Sequence, residues 1–250
     1  MNDCGLILAA GKQNRFEDNN FKSLMPYNKL STILDINIMT MKKYVKKIFI
    51  VVNINNDNSY FENIASKYDN VKLMEIYSGQ GCGHAVLQAL RKLKKNIDNI
   101  FLIWGDSIND DPKLYDICKK HANYHFVFPV KYELDPYVKF EVDKNNIAYK
   151  VKYSKYNEVL KSESGYHDFS LFHFNYSLIK GYLIDMHEKY YNNLKNTYKT
   201  KNNELIFLDL INEYGIDLNA QTIPMDNYNK SSNNSYNSIE EYKKILNNVK

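Results

Sequence analysis

Residues 8–16 read Leu8-Ala9-Ala10-Gly11-Lys12-Gln13-Asn14-Arg15-Phe16 and overlap the end of an apolar run at residues 4–9. The run has no helical stripe and predicts a buried β-strand. The backbone N–H groups of a glycine-containing loop at the end of a strand can cradle phosphates, and a fixed cation beyond it can neutralise them. An ordinary strand-to-helix turn would look the same, so the rest of the chain must distinguish the two interpretations.

Strands and helices alternate along the first half of the chain. Apolar runs at residues 47–52, 71–77, 99–104 and 124–130 predict strands, and helical patterns lie between them at residues 32–45, 59–68, 83–93 and 112–121. Gaps of helix length imply crossover connections, so we expect a three-layer α/β/α, Rossmann-like fold around a mostly parallel, mixed sheet. We expect the loops at the carboxyl ends of the parallel strands to form the ligand-binding site.

The pattern changes after residue 136. Paired strands at residues 138–142 and 147–153 predict a β-hairpin. The remaining predicted elements are a strand at 168–174, helices at 177–190 and 204–214, a strand at 218–223, a polar loop at 226–237 and a last helix at 238–247. No repeat or linker divides the chain, so we expect a single domain over residues 1–250.

Composition excludes several classes of protein. The chain has 250 residues, with 33 Lys+Arg against 29 Asp+Glu, and only Arg15 and Arg91 are arginines. No apolar run approaches the roughly 20 residues of a membrane span, and the first residues lack a signal-peptide pattern, so we expect a cytoplasmic protein without a membrane partner. The scattered Cys4, Cys82 and Cys118 indicate reduced thiols. Because lysines alternate with acids, we expect no nucleic-acid partner.

Five segments, in order, carry a resemblance to a known family. Residues 8–16 resemble the L-A-A-G-x-G-x-R signature of nucleotidyltransferases that make sugar nucleotides and related activated metabolites. Residues 21–26 (FKSLMP) resemble P-K-x-L-x-P, and residues 79–85 (GQGCGHA) resemble the Q-x-G-T-x-H-A segment of uridylyltransferases. Residues 104–107 (WGDS) resemble the G-D motif, and residues 237–242 (NSIEEY) resemble N-T-x-E-D-L. The resemblance spans nearly the whole chain and is strongest over the first 110 residues.

The resemblance implies a role for each matching residue. Arg15 and Lys22 would be the catalytic cations, and Asp106 and Asn237 would hold magnesium, with Asp226 as the alternative to Asn237. Residues 1–130 would form the nucleotide-binding half and residues 131–250 the acceptor-binding half with the C-terminal helix. The implied nucleotide-binding residues are Leu8, Ala9, Ala10, Gly11, Lys12, Gln13, Asn14, Gln80, Gly81, Cys82 and Gly105.

Some of these residues also have structural interpretations. Gly105 and Asp106 could form a plain turn, and His84 could be a capped, structural histidine. Cys82 replaces a threonine of the family, and we expect its thiol to pack beside the base. Gln13 replaces the second glycine of the signature, so either the loop is arranged differently or Gln13 contacts the nucleotide.

The acceptor half departs further from the sugar-using members of the family. Tyr137, Lys139, Lys152 and Asp168 stand where those members have sugar-binding residues, and Lys152 replaces a glutamate. Exchanging an acid for a cation, with a new acid nearby, would suit a zwitterionic or otherwise charged acceptor better than N-acetylglucosamine phosphate.

The resemblance implies transfer of a nucleoside monophosphate from a pyrimidine triphosphate, CTP slightly favoured over UTP, to the phosphate of a small metabolite, with release of pyrophosphate. The acceptor could be phosphocholine or a phosphorylated amino acid, used for surface polysaccharide or its modification. The alternatives are a sugar-1-phosphate uridylyltransferase, a glycosyltransferase using a nucleotide sugar, and a non-catalytic nucleotide-binding regulator. A glycosyltransferase of this kind usually binds its metal through Asp-x-Asp, and the segment WGDS lacks the second aspartate. A dinucleotide-binding dehydrogenase is disfavoured because no G-x-x-G continuation follows Gly11. The oligomeric state stays open.

Overall fold

The computed structural model describes residues 2–11, 21–77, 79–94, 96–228, 240–243 and 246. Its first half confirms the predicted alternation. The strands are β1 (Cys4–Leu8), β2 (Lys47–Asn53), β3 (Val71–Ile76), β4 (Asn99–Trp104) and β5 (Phe126–Leu134). The helices between them are α1 (Ile33–Met41), α2 (Ser59–Ala65), α3 (Cys82–Lys92) and α4 (Pro112–Lys120), and a short 3-10 turn spans Lys22–Leu24.

The second half begins with the predicted hairpin, formed by β6 (Val138–Val142) and β7 (Ile147–Tyr153). It continues with β8 (Ser164–Asp168), β9 (Leu171–Asn175) and α5 (Tyr176–Tyr190), followed by the two-residue strands β10 (Tyr191–Asn192) and β11 (Thr197–Tyr198). The last numbered elements are α6 (Asp209–Tyr214) and β12 (Ala220–Pro224), and residues 240–243 are helical.

Ten of the described strands form one sheet in the order β12-β7-β6-β8-β5-β9-β4-β1-β2-β3. β1 pairs in parallel with both β2 and β4, and β2 pairs in parallel with β3. β9 lies antiparallel between β4 and β5, and β12 runs parallel to β5. The predicted mostly parallel, mixed sheet is therefore confirmed.

Two apolar cores cover the two faces of the sheet. Neighbouring residues of a strand point to opposite faces, so Leu6 joins the core beneath α3 and α5, whereas Ile7 joins the core beneath α1, α2 and α4. Both side chains are fully buried. Burial on both faces explains why β1 is apolar throughout, and it gives the predicted three-layer α/β/α arrangement.

Two predicted elements were wrong in their limits, and one element was missed. The predicted strand at 168–174 is two strands, because the chain turns at Ser170, whose φ is 57°. The predicted helix at 204–214 begins only at Asp209, because the residues before it bond to another loop through their backbone. The β10–β11 hairpin was not predicted at all. Among the described helices, none is long and apolar enough to cross a membrane.

Candidate active site

The loops that follow β1 and β4 lie side by side at one edge of the sheet. Leu8 is the register partner of Trp104 in the parallel pair, and the Gly105 N–H donates to the Leu8 carbonyl at 2.9 Å. A Cβ on Gly105 would lie 2.9 Å from that carbonyl oxygen and 3.2 Å from the Cα of Ala9. Glycine at 105 therefore lets the two backbones touch, and it brings two of the predicted segments together.

Lys22 and Asp106 meet at this edge. The Lys22 Nζ lies 3.5 Å from Asp106 Oδ2, and the two side chains are 16% and 38% exposed. Lys22 lies in the 3-10 turn, and Asp106 follows Gly105, the first residue after β4. The predicted catalytic lysine and the predicted metal ligand are thus in contact, with the carboxylate open to solvent on one side.

Asn37 holds the loop that carries Asp106. It is a fully buried residue of α1, and its Nδ2 donates to the Ser107 carbonyl at 2.8 Å, while its Oδ1 accepts from the Asn109 N–H at 2.9 Å. A capping box between Thr32 and Asp35 fixes the start of the same helix. Sequence reasoning missed Asn37, although an asparagine inside a largely apolar helix was a signal, because a buried amide needs partners.

The C-terminal segment reaches the same loop. Tyr242 packs with Ile33 and Ile108, and its hydroxyl donates to the Pro26 carbonyl. Ile108 lies two residues after Asp106, so the helix at 240–243 borders the predicted metal site. Asn237 itself, like Lys12, Gln13, Asn14 and Arg15, lies outside the described residues.

Magnesium fits what is described of this edge. Within the described ranges no group of three or more His, Cys, Asp or Glu comes together, and Asp106 is the carboxylate at the site. Magnesium usually takes one or two carboxylates and completes its shell with water and substrate phosphates, so one open carboxylate suits it. The alternative ligand Asp226 lies within electrostatic range of Tyr166 on β8 and helps to raise the pKa of that phenol, after the larger effect of burial.

The loop at residues 79–83 is packed tightly against another part of the backbone. Gly81 has a φ of 94°, and a Cβ there would lie 2.3 Å from the Leu205 carbonyl oxygen. That oxygen accepts from the Gly83 N–H at 2.8 Å, and the Leu205 N–H donates to the Gln80 carbonyl at 2.9 Å. These hydrogen bonds tie residue 205 to the loop before α3, and both glycines are required by the close approach.

Cys82 and His84 both lie in the first turn of α3. The Cys82 Sγ accepts from the Phe207 N–H at 3.4 Å, and burial raises the pKa of the thiol above its usual value. Burial, and then the nearby His187, lower the pKa of His84 to about 4, so its ring is neutral near pH 7. The His84 and His187 rings stack with centroids 5.9 Å apart. Neither side chain has the environment of a nucleophile or a charged acid.

The predicted acceptor residues divide into paired cations and a buried acid. Lys139 forms an ion pair with Glu163, and the Lys152 Nζ lies 2.5 Å from Glu141 Oε1. Asp168 is 3% exposed, and its Oδ1 accepts from the Ser170 N–H at 2.7 Å. Burial raises the pKa of the Asp168 carboxyl. Tyr137 is 44% exposed.

Sequence reasoning missed three polar residues near the loop at 79–83, namely Tyr153, Lys155 and Asp209. The Tyr153 hydroxyl donates to Asp209 Oδ1 at 2.9 Å, and the Lys155 Nζ lies 4.7 Å from the centroid of the Tyr156 ring. Burial is the largest single effect and lowers the pKa of Lys155, but the hydrogen bond and charge of Tyr156, with Tyr137 and Cys82, together raise the pKa overall. Among the described residues no carboxylate lies within 4.0 Å of Lys155. It is therefore a cation without an ion pair near the loop.

Comparisons with known proteins agree on the fold. A sequence profile described as the MobA-like NTP transferase domain matches residues 5–136, which is more than half of the chain. The structure is similar to CTP:phosphocholine cytidylyltransferase from Streptococcus pneumoniae, with 13% identity, a TM-score of 0.71 and coverage of 100% of both chains.

A second solved structure resembles the chain over nearly its whole length. It is 4-diphosphocytidyl-2C-methyl-D-erythritol synthase from Anaerococcus prevotii, with 14% identity, a TM-score of 0.65 and coverage of 99% of this chain and 95% of the other. No curated protein matches the chain by sequence. At these identities the two structures show a shared fold.

Proposed function

The chain belongs to the MobA-like NTP transferase domain family and is a nucleotidyltransferase, and on this premise we propose that it transfers CMP from CTP to the phosphate of a small charged acceptor. Pyrophosphate is the other product. The observation that carries the proposal is the contact between Lys22 and Asp106 at the edge where the loops after β1 and β4 meet. A fixed cation and an open carboxylate there are the groups that a nucleoside triphosphate and its metal require.

The chemistry explains why cations matter more here than a general base. A phosphate monoester has a second pKa of about 6, so the attacking oxygen is already largely ionised at neutral pH. The barrier comes from bringing one anion to another and from the charge that develops on the leaving pyrophosphate. Lys22 neutralises the α-phosphate or the acceptor phosphate, and Arg15 binds the β- and γ-phosphates through its planar guanidinium.

Asp106 and Asn237 are the residues we propose as magnesium ligands. Both offer the oxygen atoms that magnesium prefers, and the contact of Tyr242 with Ile108 supports bringing Asn237 close to the Asp106 loop. A bound magnesium ion would neutralise charge on the phosphates. Lys22 contacts Asp106 from one side at 3.5 Å, which leaves the other side of the carboxylate for a metal ion.

One observation supports CTP as the nucleotide, and a second supports a pyrimidine nucleotide. The printed names of both structural relatives describe cytidylyl transfer or a diphosphocytidyl product. The loop at residues 79–85 resembles a base-binding segment of pyrimidine-using enzymes, although that segment belongs to uridylyltransferases. The resemblance keeps a sugar-1-phosphate uridylyltransferase as the second candidate.

A charged acceptor is supported by the polar groups next to this loop. Lys155 has no ion pair among the described residues, and Asp209, whose carboxylate accepts from the Tyr153 hydroxyl, lies within electrostatic range of it. A cation and an acid together would suit phosphocholine or a phosphorylated amino acid. Lys139 and Lys152 offer less free positive charge to an acceptor than the sequence suggested, because each already has a glutamate partner. We place the reaction in the cytoplasm, in the synthesis or modification of surface polysaccharide.

A matrix of substrates tests the proposal. The four nucleoside triphosphates are each combined with phosphocholine, phosphorylated amino acids and sugar 1-phosphates, and pyrophosphate is measured. We expect signal with CTP and a charged acceptor, and only when both are present. Signal with UTP and a sugar 1-phosphate would favour the second candidate. No pyrophosphate from any combination would contradict the proposal and favour a binding protein or a glycosyltransferase.

A further inference from the structure

Tyr242 lies where three segments of the candidate site meet. Its ring packs with Ile33, the first residue of α1, and with Ile108 in the loop after β4. Its hydroxyl donates to the Pro26 carbonyl, across 216 positions of the chain. Tyr242 is 7% exposed, so these contacts are shielded from water. One side chain therefore touches the start of α1, the loop after β4 and the end of the segment at residues 22–26.

The segment at residues 22–26 carries Lys22 and is called the Lys22 segment below. The Met25 N–H donates to the Lys22 carbonyl at 3.1 Å, and the Met25 carbonyl accepts from the Ile33 N–H at 2.9 Å. Proline has no N–H, so a carbonyl is the hydrogen-bonding group that Pro26 offers through its backbone. The Tyr242 hydroxyl bonds to that carbonyl and anchors the chain four residues after Lys22.

The hydroxyl is a departure from the pattern that the C-terminal segment resembles. Residues 237–242 read NSIEEY against N-T-x-E-D-L, so Tyr242 stands at the position of a leucine. A leucine can pack against Ile33 and Ile108, but it has no group that donates a hydrogen bond. This chain therefore has a link between the C-terminal segment and Pro26 that the pattern does not contain.

The two segments that Tyr242 joins hold the charged groups of the site. Lys22 Nζ lies 3.5 Å from Asp106 Oδ2. A lysine ammonium sits on a flexible four-carbon stem, so its position depends on how firmly the backbone beneath it is held. Tyr242 contacts the Asp106 loop through its ring and the Lys22 segment through its hydroxyl. It is thus placed to set the distance between the two backbones.

We propose that Tyr242 is a positioning residue that ties the Lys22 segment to the Asp106 loop and so keeps the Lys22 ammonium in place for the reacting phosphates. The inference rests on the proposed function, since it takes Lys22 as the cation that meets those phosphates. Placement matters for the rate, because a shift of about 1 Å in a group at the reacting centre can cost about a hundredfold. Tyr242 acts through Lys22, so its effect must disappear when the ammonium is absent.

A double-mutant cycle with Lys22 tests this inference. Tyr242→Phe keeps the ring and removes the hydroxyl, and we expect kcat for pyrophosphate release to fall about five- to twentyfold, with KM for CTP within about twofold. In the Lys22→Met background the same change should alter kcat less than about twofold, because the group that it positions is gone. Tyr242→Leu introduces the residue of the pattern and should lose kcat in the same way.

Tyr176→Phe is the matched control. Tyr176 is 3% exposed, and its hydroxyl donates to the Leu90 carbonyl at 3.1 Å. Its N–H donates to the carbonyl of Asp98, which precedes β4, so the residue lies at the opposite end of that strand from Asp106. Tyr176→Phe also removes a buried bond from a hydroxyl to a carbonyl, and it should lower stability while keeping kcat within about twofold.

Hydrogen exchange gives a readout that needs no turnover. The N–H groups of Leu24 and Met25 donate to carbonyls within the 3-10 turn of the Lys22 segment. Their exchange should be at least about threefold faster in Tyr242→Phe than in the wild-type protein, because the turn opens more readily once its end is released. In Tyr176→Phe their exchange should keep the wild-type rate.

The outcomes separate this inference from the proposed function. Equal losses of kcat from Tyr242→Phe in the two backgrounds, an unchanged kcat in Tyr242→Phe, or wild-type exchange of the turn in that variant would each overturn the inference and leave nucleotidyl transfer standing. A wild-type protein that releases no pyrophosphate from any substrate pair would contradict the proposed function. Hydrogen exchange would then still decide whether Tyr242 holds the Lys22 segment.

Discussion

The Lys22 ammonium lies 3.5 Å from the Asp106 carboxylate, although 84 residues separate them in the chain. The contact joins the 3-10 turn after the first loop to the end of β4. It gives the candidate site a cation and an acid within one hydrogen-bonding distance of each other. Lys67 and Asp35 form an ion pair of the same length, 3.5 Å, away from this edge, and they provide a natural comparison.

Replacement of Lys22 by methionine should reduce kcat/KM for pyrophosphate release about ten- to hundredfold, the equivalent of about 1.5–3 kcal/mol of lost contact with a charged group. Stability should change little, because an ion pair of partly exposed side chains contributes at most about 1 kcal/mol. Lys67→Met is the matched control and should keep activity within about twofold. Equal losses in the two variants would mean that Lys22 has no special role.

Asn37→Ala should destabilise the protein by about 1–3 kcal/mol, because it leaves the Ser107 carbonyl and the Asn109 N–H without their partner. Activity should fall as well, since those residues carry the Asp106 loop. Urea unfolding and steady-state assays measure the two effects. Thr40→Ala on the same helix is the control, because among the described residues the Thr40 hydroxyl bonds only to the Ile36 carbonyl of its own helix. An Asn37 variant as stable as the Thr40 variant would contradict the role given to Asn37.

The sequence predicted the parallel half of the fold because each strand there is a continuous apolar run with a helix on either side. The resemblance named Lys22 and Asp106, and the structure brings their two segments into contact. It did not predict the break between β8 and β9, because Ser170 takes a left-handed conformation that usually marks a glycine or an asparagine. The local pattern of residues 204–208 is helical, but backbone hydrogen bonds to the loop at 79–83 override it.

The acceptor side was harder to predict for a different reason. The partners of Lys139 and Lys152 are set by strand pairing and loop position rather than by neighbours in the chain. Glu141 stands near Lys152 only because β6 and β7 pair in antiparallel register. A charge that appears free in a sequence can thus be neutralised by a residue that no local pattern identifies.

Gly83→Ala should be destabilising by about 1–3 kcal/mol, because the new Cβ would lie 2.9 Å from three backbone atoms of residues 205–207. Gly181→Ala is the reverse case, since a Cβ there meets nothing within 4 Å among the described residues and the position lies inside α5. It should stabilise the protein by about 0.4–1 kcal/mol. Thermal or urea unfolding of both variants checks the difference in sign. The same sign for both would contradict the packing described for the loop at 79–83.

His84 should make stability depend on pH in mildly acidic solution. Its pKa falls from 6.5 to about 4 in the folded chain, mainly because of burial. Between these values the unfolded chain binds the proton and the folded chain does not, so this contribution is complete above pH 6.5 and is lost as the pH falls toward 4. His84→Phe keeps an aromatic ring and removes the titration. Its free energy of unfolding should fall less steeply over this range than that of the wild-type protein, and parallel curves would contradict the assignment.

Pyrophosphate release by Asp106→Asn, with CTP and a phosphorylated acceptor, tests the central claim most directly. The variant keeps the shape of the side chain and removes its charge, and Asp110→Asn, four residues further along, is its control. We expect the Asp106 variant to lose turnover by at least about a hundredfold, which corresponds to about 2.7 kcal/mol. Its unfolding transition should match that of the wild-type protein, and the Asp110 variant should remain active. Release by the folded Asp106 variant at close to the wild-type rate would contradict the site proposed for this nucleotidyltransferase.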